Sequence, residues 1–428
     1  MKCGGETAFA GRESAPSLIM AASRLFTLQL PAMSHDSDKN ITARILATVF
    51  FTFLCYLTIG LPLAVLPSYV HLRLGFSTVW AGLVISMQYL ATFATRAYAG
   101  RMADTVGSKQ TVLAGLAACG LSGLLMLCSA LLEGRPTWSL GALLLGRLAL
   151  GTGESLAATG ATTWAIGRVG DVQTTRVVSM NGVASYSALA VGAPLGVVIN
   201  GAGGFAGVGI VILLVGMLGC LLASTQAPVA LVAGKPLAFR EVFLRVLPFG
   251  LCQALGSIGF GVISAFVTLF YAGRGWSGAA LSLTAFGGAF VLVRLVCGGL
   301  IMRFGGFRVS IASFVVECIG LAMLWRAGSP GVALAGATLA GGGFALVYPA
   351  LAREAVGGVA AANRGAALGA YTVFLDLALW VAGPLAGVVA AHYGFAAVFL
   401  FAALAAALAV MLSGSLYWRR RARQAAVV

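Results

Sequence analysis

Gly100-Arg-Met-Ala-Asp104-Thr-Val-Gly107-Ser-Lys109 lies between two long apolar segments. It is too short for a domain and too charged for lipid, so it reads as a tight loop joining two membrane helices. A partial copy, Gly299-Leu-Ile-Met-Arg303-Phe-Gly-Gly306-Phe-Arg308, follows 199 residues later, again between apolar segments. The glycines and the final base recur, and Arg303 stands where Asp104 stood. A loop that returns near half the chain length predicts two related halves.

Composition agrees with a membrane setting. Of 428 residues, 60% are hydrophobic and only 9% charged, against about 25% charged in a soluble domain. Such a chain cannot cover a water-facing surface, so lipid is the solvent for most of it. The 58 glycines suit close helix–helix approach. The net charge of +15 does not point to nucleic acid, because the bases sit in short loops and form no continuous basic face. The eight cysteines are scattered without a CxxC pair and read as small packing residues, not as disulfides or metal ligands.

Twelve apolar runs follow one another, at about 43–67, 78–100, 110–132, 139–165, 177–200, 205–224, 247–271, 277–302, 309–326, 331–351, 366–390 and 394–416, each near the length that spans hydrocarbon. They are continuous rather than alternating, which predicts helices and not a barrel. The expected fold is an all-α membrane protein of twelve transmembrane helices in two pseudo-symmetric six-helix bundles. Residues 1–40 read as a disordered polar tail, with Met33 as a candidate start. The bundles take 41–224 and 247–416, joined by a linker over 225–246 with Lys235 and Pro236, and 417–428 form a basic tail. With both termini in the cytoplasm, seventeen bases fall on inside segments against Arg73, Arg135, Arg274 and Arg326 outside. That bias sets the orientation, and suits a multi-pass protein of a bacterial inner membrane. The fifth run carries Gly192-Ala-Pro194-Leu-Gly196 and the eleventh Gly383-Pro384-Leu-Ala-Gly387. Proline bends a membrane helix and glycine permits close packing at the bend, so a paired hinge or gate is expected.

These stretches resemble the major facilitator superfamily of transporters over residues 41–416. Gly100, Asp104, Gly107 and Lys109 resemble its signature loop between helices two and three, with Thr105 in place of the usual base. Arg147-Leu-Ala-Leu-Gly151-Thr-Gly153 resembles the helix-four motif of proton-coupled members. The run from Gly192 to Gly196 resembles the helix-five motif of antiporters, with Ala193 replacing a glycine. Gly151 to Ser155, Leu283 to Phe290 and Asp376 to Gly387 are similar to the YhhS/YfcJ-like branch. The resemblance implies two bundles around a central cavity, alternating access, and efflux of drug- or sugar-like solutes. It also implies that Asp104 faces helix eleven in one access state and releases it in the other.

An ionisable side chain at membrane depth is costly and faces a cavity or a partner. Arg147 and Glu154 stand seven residues apart on the fourth run, hence on one face. They form either a proton-carrying carboxylate with its controlling guanidinium or a fixed pair that locks helices. The equivalents near Ala337 and Phe344 are uncharged, which favours the first reading. Asp376 is either a second proton site or the partner of an arginine. Glu317, Arg294 and Arg96 read as members of structural ion pairs, Arg294 alternatively as support for the nearby loop, and Arg96 alternatively as a snorkelling base or a member of the loop network. Tyr56, Gln88, Trp164, Gln253 and Trp380 are the candidates for an amphipathic substrate lining, while Trp138, Trp276 and Trp418 read as interface anchors.

The leading expectation is a proton-coupled efflux antiporter of small organic solutes, monomeric, with solute, protons and lipid as partners and neither cofactor nor metal. An importer or facilitator of the same fold is the alternative, and a membrane protein that moves nothing is the third. No Walker motif, HExxH pair or Ser-His-Asp set occurs, and His35, His71 and His392 fall in the tail or outer loops, so enzyme chemistry is not expected.

Overall fold

An apolar chain in lipid must satisfy each backbone N–H and C=O within itself, and the α-helix does so segment by segment. The computed structural model describes residues 35–229, 239–357 and 364–425, and every regular element among them is helical. Met33, Lys235 and Pro236 lie outside the described residues. Two compact units are present, Met1–Ala43 and Arg44–Val428, and the contacts that follow all lie within the second.

The long helices are α1 (His35–Leu63), α2 (Thr78–Thr105), α3 (Ser108–Leu131), α4 (Pro136–Val169) and α5 (Thr174–Ser224), then α6 (Phe239–Gly273), α7 (Ala279–Cys297) and α8 (Gly306–Trp325). They are completed by α9 (Pro330–Phe344), α10 (Arg364–Tyr393) and α11 (Ala397–Ala425). Short helical pieces extend α7 over Leu300–Phe304 and α9 over Val347–Val356. Among the described residues, ten helices are long and apolar enough to cross a membrane. Two more crossings complete twelve. The 51-residue α5 is about 75 Å long at 1.5 Å per residue, twice what a core of about 30 Å needs. It breaks at Gly204, whose φ is 63°. The 34 residues of α4 supply the other crossing, and carry Arg147 and Glu154.

Three expected boundaries move. α1 begins at His35, inside the segment read as a tail. α6 begins at Phe239, inside the expected linker, and α11 continues to Ala425, through most of the basic tail. Polar residues end an apolar run without ending the helix that carries it.

In the first six crossings α3 packs on α4 and α5, and α2 on α4. In the last six α8 packs on α9 and α11, α7 on α9, and α6 on α10 and α11. The halves meet through α2 against α10 and α5 against α7. Two glycine contacts fix how the halves correspond. A Cβ on Gly151 of α4 would overlap the carbonyl oxygen of Gln88 on α2, and a Cβ on Gly341 of α9 would overlap that of Phe286 on α7. Counted from these contacts, Glu154 corresponds to Phe344, Arg147 to Ala337, Thr92 to Phe290 and Arg96 to Arg294.

The same register corrects the opening loop. Gly107 precedes α3 at φ 119°, ψ 148°, and its counterpart before α8 is Gly305 at φ 84°, ψ 157°, not Gly306. Only glycine tolerates that backbone region. Gly107→Ala is therefore expected to cost about 1–3 kcal/mol and lower the melting temperature of the purified protein. Gly100→Ala should not, since a Cβ there meets no atom within 4 Å.

Candidate functional site

Among the described residues of the first half, the buried charged side chains are Arg147 and Glu154. Gln88, Arg147 and Glu154 are 0%, 2% and 5% exposed, so hydrogen bonds from the protein must replace those of water. Glu154 Oε1 accepts from the Tyr56 hydroxyl of α1 at 2.9 Å. Its Oε2 accepts from Gln88 Nε2 at 2.7 Å and from Thr92 Oγ1 at 3.2 Å, both on α2. Gln88 turns its other end to the cation, with Arg147 Nη2 donating to Oε1 at 2.5 Å. Arg147 and Glu154 thus share a face but not a direct bond. The Gln88 amide stands between them, its orientation fixed by a donor on one side and a carboxylate on the other.

A second charged pair bridges the halves. Arg96 of α2 donates from Nε to Asp376 Oδ2 of α10 at 2.6 Å and from Nη2 to Oδ1 at 3.0 Å. The Asp376 side chain is 3% exposed and that of Arg96 24%. Arg96 is therefore found in an ion pair at the seam between halves, and not in the Asp104 loop.

That seam continues toward the α2 N-terminus. Ser86 Oγ donates to the Leu379 carbonyl at 3.1 Å, and Thr78 Oγ1 to that of Gly387 at 3.0 Å. A Cβ on Gly383 would overlap both Ser86 Oγ and the Gly82 carbonyl. On the other seam Thr284 Oγ1 of α7 donates to the Ala190 carbonyl of α5 at 2.9 Å. At the Asp104 end bonds close within one half instead. Lys109 Nζ donates to Ser224 O at 2.7 Å, Arg308 Nε to the Tyr417 hydroxyl at 3.0 Å, and Arg420 pairs with Glu354. Glu354 also caps α8 by accepting from Gly306 N at 2.9 Å. Asp104 is exposed and has no ion-pair partner among the described residues.

Comparison with known proteins gives this arrangement its family. The family model described as Major Facilitator Superfamily matches residues 48–283. An MFS-type transporter of Burkholderia mallei (strain SAVP1) is 55% identical, covering 91% of this chain and 98% of its own. The chain belongs to the major facilitator superfamily. An MFS-type transporter of Pseudomonas aeruginosa (strain UCBPP-PA14) is 52% identical over 91% of this chain and 97% of that one. Among solved structures, a D-xylose-proton symporter has a TM-score of 0.72 at 16% identity, covering 86% of this chain and 97% of that one. Nucleoside transporter NupG has a TM-score of 0.70 at 17% identity, covering 87% and 99%. These two likenesses concern the fold. The protein is a multi-pass membrane transporter of this superfamily and not an enzyme.

Within this superfamily transporter the two proline–glycine motifs do different work. Gly383 and Gly387 of α10 line the seam between halves, whereas Gly192 and Gly196 of α5 press on Gly60 and Leu61 of α1 in their own half. They are not a matched pair of gates, because their glycines point to different neighbours. Pro194 and Pro384 lie inside helices that continue past them. A methyl on Gly383 cannot fit the closed seam. Gly383→Ala should therefore expose an introduced Thr78→Cys to an impermeant maleimide that labels it poorly otherwise.

Of the candidate lining, Tyr56 and Gln88 join the Glu154 network. Trp164 is fully buried, stacked on Phe51 at 5.7 Å, with Nε1 donating to Ala227 O at 3.2 Å. It pins the end of α4 rather than lining a cavity. Gln253 is also fully buried, accepting from the Tyr371 hydroxyl at 2.8 Å inside the second half. Trp380 is half-buried against the core. Arg303 lies over the Phe304 ring at 5.2 Å. Two expected ion pairs are missing among the described residues. Glu317 has both carboxyl oxygens buried without a partner, the carboxyl group facing Gly259 of α6, where no base pairs with it. Arg294 donates from Nη1 to the Ala345 carbonyl at 3.3 Å and has no carboxylate.

The sequence reading missed an aromatic group in the second half. Phe260 lies 5.5 Å from Phe286 and 6.2 Å from Phe344, and Tyr186 of α5 stacks on Phe290 at 3.6 Å. By the register above, Phe286, Phe290 and Phe344 stand where the first half has Gln88, Thr92 and Glu154. The repeat thus holds a carboxylate with its polar partners in one half and aromatic rings at the same positions in the other.

Proposed function

We propose that this transporter exports small organic solutes in exchange for protons, by alternating access, as a monomer in a bacterial inner membrane with both termini cytoplasmic. The observation that carries it is Glu154: a buried carboxylate that accepts from side chains of α1 and α2 while its own helix is α4. Ionised, it accepts three hydrogen bonds and ties the three helices together. Protonated, it becomes a donor and must surrender at least one of them. Proton binding is thereby linked to helix packing. Arg147 is joined to the same network through Gln88, whose amide links the cation to the carboxylate.

With the termini inside, the closed seam at Thr78 and Gly387 is the outer mouth and the Asp104 end opens to the cytoplasm. Asp104 is then free to engage α10 when the inner mouth closes, as does the Gly107 loop around it. The aromatic half supplies apolar area for the solute, and the polar half supplies the proton site. Displacement of the proton by solute, rather than joint binding, makes the cycle an exchange.

Inverted membrane vesicles containing a pH-quenched dye test the direction. After a proton gradient is built, solutes that the protein exports should discharge it on addition. Discharge absent for every solute, with solute uptake unaffected by the gradient, would instead make the protein a facilitator. Proton and solute entering the vesicle lumen together would make it a symporter.

A further inference from the structure

Arg294 is the counterpart of Arg96, yet the two are served differently. Arg96 meets the carboxylate of Asp376 across the α2–α10 seam. Arg294, 8% exposed, stands at the α7–α5 seam, where Gly182 of the other half faces it. A Cβ added to Gly182 would lie 3.1 Å from the guanidinium carbon and 3.2 and 3.4 Å from its terminal nitrogens, so the bare glycine is what lets the flat face of the guanidinium pack against α5. Nη1 makes the one hydrogen bond of this side chain among the described residues, at 3.3 Å. No nitrogen of Arg294 is among the fully inaccessible side-chain atoms that lack a partner, so the charge has a long bond to a neutral carbonyl and remains open to a further acceptor, the place an anion would take during function. The guanidinium also lies over the Phe290 ring, 5.4 Å from its centre. Phe290 in turn stacks on Tyr186, which reaches Phe260 at 5.6 Å and Phe344 at 6.2 Å. Cation and rings are therefore one contiguous group drawn from both halves, with Phe260, Phe290 and Phe344 buried.

We propose that Arg294 is the counter-ion for an anionic group of the transported solute, and that the solute is an organic monoanion whose apolar or aromatic body packs on Phe290, Tyr186 and their neighbours. The proposal rests on the reading of the chain as a solute exporter and names the substrate class. A guanidinium matches a carboxylate in two parallel hydrogen bonds, and the rings stack a planar body. Because Tyr186 belongs to the first half and Arg294 to the second, an anionic solute that engages both bridges the halves. Its anionic group takes the part that Asp376 plays permanently for Arg96, and leaves with the solute.

Equilibrium binding to the purified full-length protein in detergent tests this without requiring transport or proton coupling, so its failure is distinct from failure of the exchange reading. The probes are phenylacetate, indole-3-acetate and 1-naphthoate, each beside its neutral amide, followed by calorimetry. At least one acid should bind about tenfold to a hundredfold tighter than its amide, the range of a charge-assisted hydrogen bond. Arg294→Gln should remove that preference while leaving amide affinity in place, and Arg294→Lys should keep part of it. Gly182→Asp supplies a second, independent variant. It sets a built-in carboxylate against Arg294 and should also abolish the preference for acids. Equal affinity of acid and amide in the native protein, persistence of the preference in Arg294→Gln or Gly182→Asp, or no saturable binding of any acid overturns the proposal.

Discussion

Glu154→Gln is expected to abolish solute-driven proton movement while leaving the helices assembled and solute-for-solute exchange running. The amide keeps the shape of the side chain, and its one oxygen can still accept from Tyr56, while its nitrogen stands where the other oxygen accepted from Gln88 and Thr92. It cannot gain or lose a proton, so the hydrogen-bond exchange among α1, α2 and α4 no longer depends on pH. Coupled flux should fall about a hundredfold or more, the scale on which a positioned proton-transfer group contributes. Counterflow of labelled solute in proteoliposomes, measured without a gradient, separates loss of coupling from loss of binding. If counterflow disappears together with proton movement, Glu154 belongs to solute binding instead. Gln88→Leu should act in the same direction, because it leaves Arg147 without its bond to Gln88 Oε1 and Glu154 without one of its donors.

Asp376→Asn has the second-largest expected effect, and it falls on conformation. Arg96 would keep its charge in a largely buried seam after losing a bidentate partner. Removing one member of a buried pair costs about 3–5 kcal/mol, and the partial exposure of Arg96 places this case near the lower end. The conformer described here would lose that amount relative to the one in which α2 and α10 separate, a shift of over about a hundredfold in population. Spin labels at Val106→Cys and Arg303→Cys, both exposed and on opposite halves, should report a shorter distance in the variant as the Asp104 end closes. The double exchange Arg96→Asp with Asp376→Arg should restore much of the native distance. An unchanged distance in Asp376→Asn would make the pair a passive brace.

Much of the fold was legible because lipid leaves so few options. Continuous apolar runs, a charge bias between loops and one recurring loop lead to helices, a twelve-crossing count and two halves. Boundaries slipped where polar residues remain helical, as at His35 and Ala425. The register between halves slipped by one residue. Matching Gly107 to Gly306 follows the letters, whereas the backbone angle that demands glycine recurs at Gly305. That one-residue slip concealed the correspondence of Arg96 with Arg294, and of Gln88 and Thr92 with Phe286 and Phe290. Single charged residues could be picked out from cost alone, which is why Arg147, Glu154 and Asp376 stood out. Their partners could not, since Gln88 and Thr92 are ordinary residues until a neighbouring carboxylate is placed beside them. The motif around Pro194 misled for a related reason. A pattern of glycines says that a helix is approached closely, but not which helix approaches it.

The most direct test of the coupling scheme is proton release on solute binding by the purified protein in weakly buffered detergent solution, with a pH indicator and any solute that discharges the vesicle gradient. Native protein should release about one proton for each solute bound, since one carboxylate is exchanged, and Glu154→Gln should bind the solute and release none. Equal release from both proteins, or binding by native protein without release, would contradict the account.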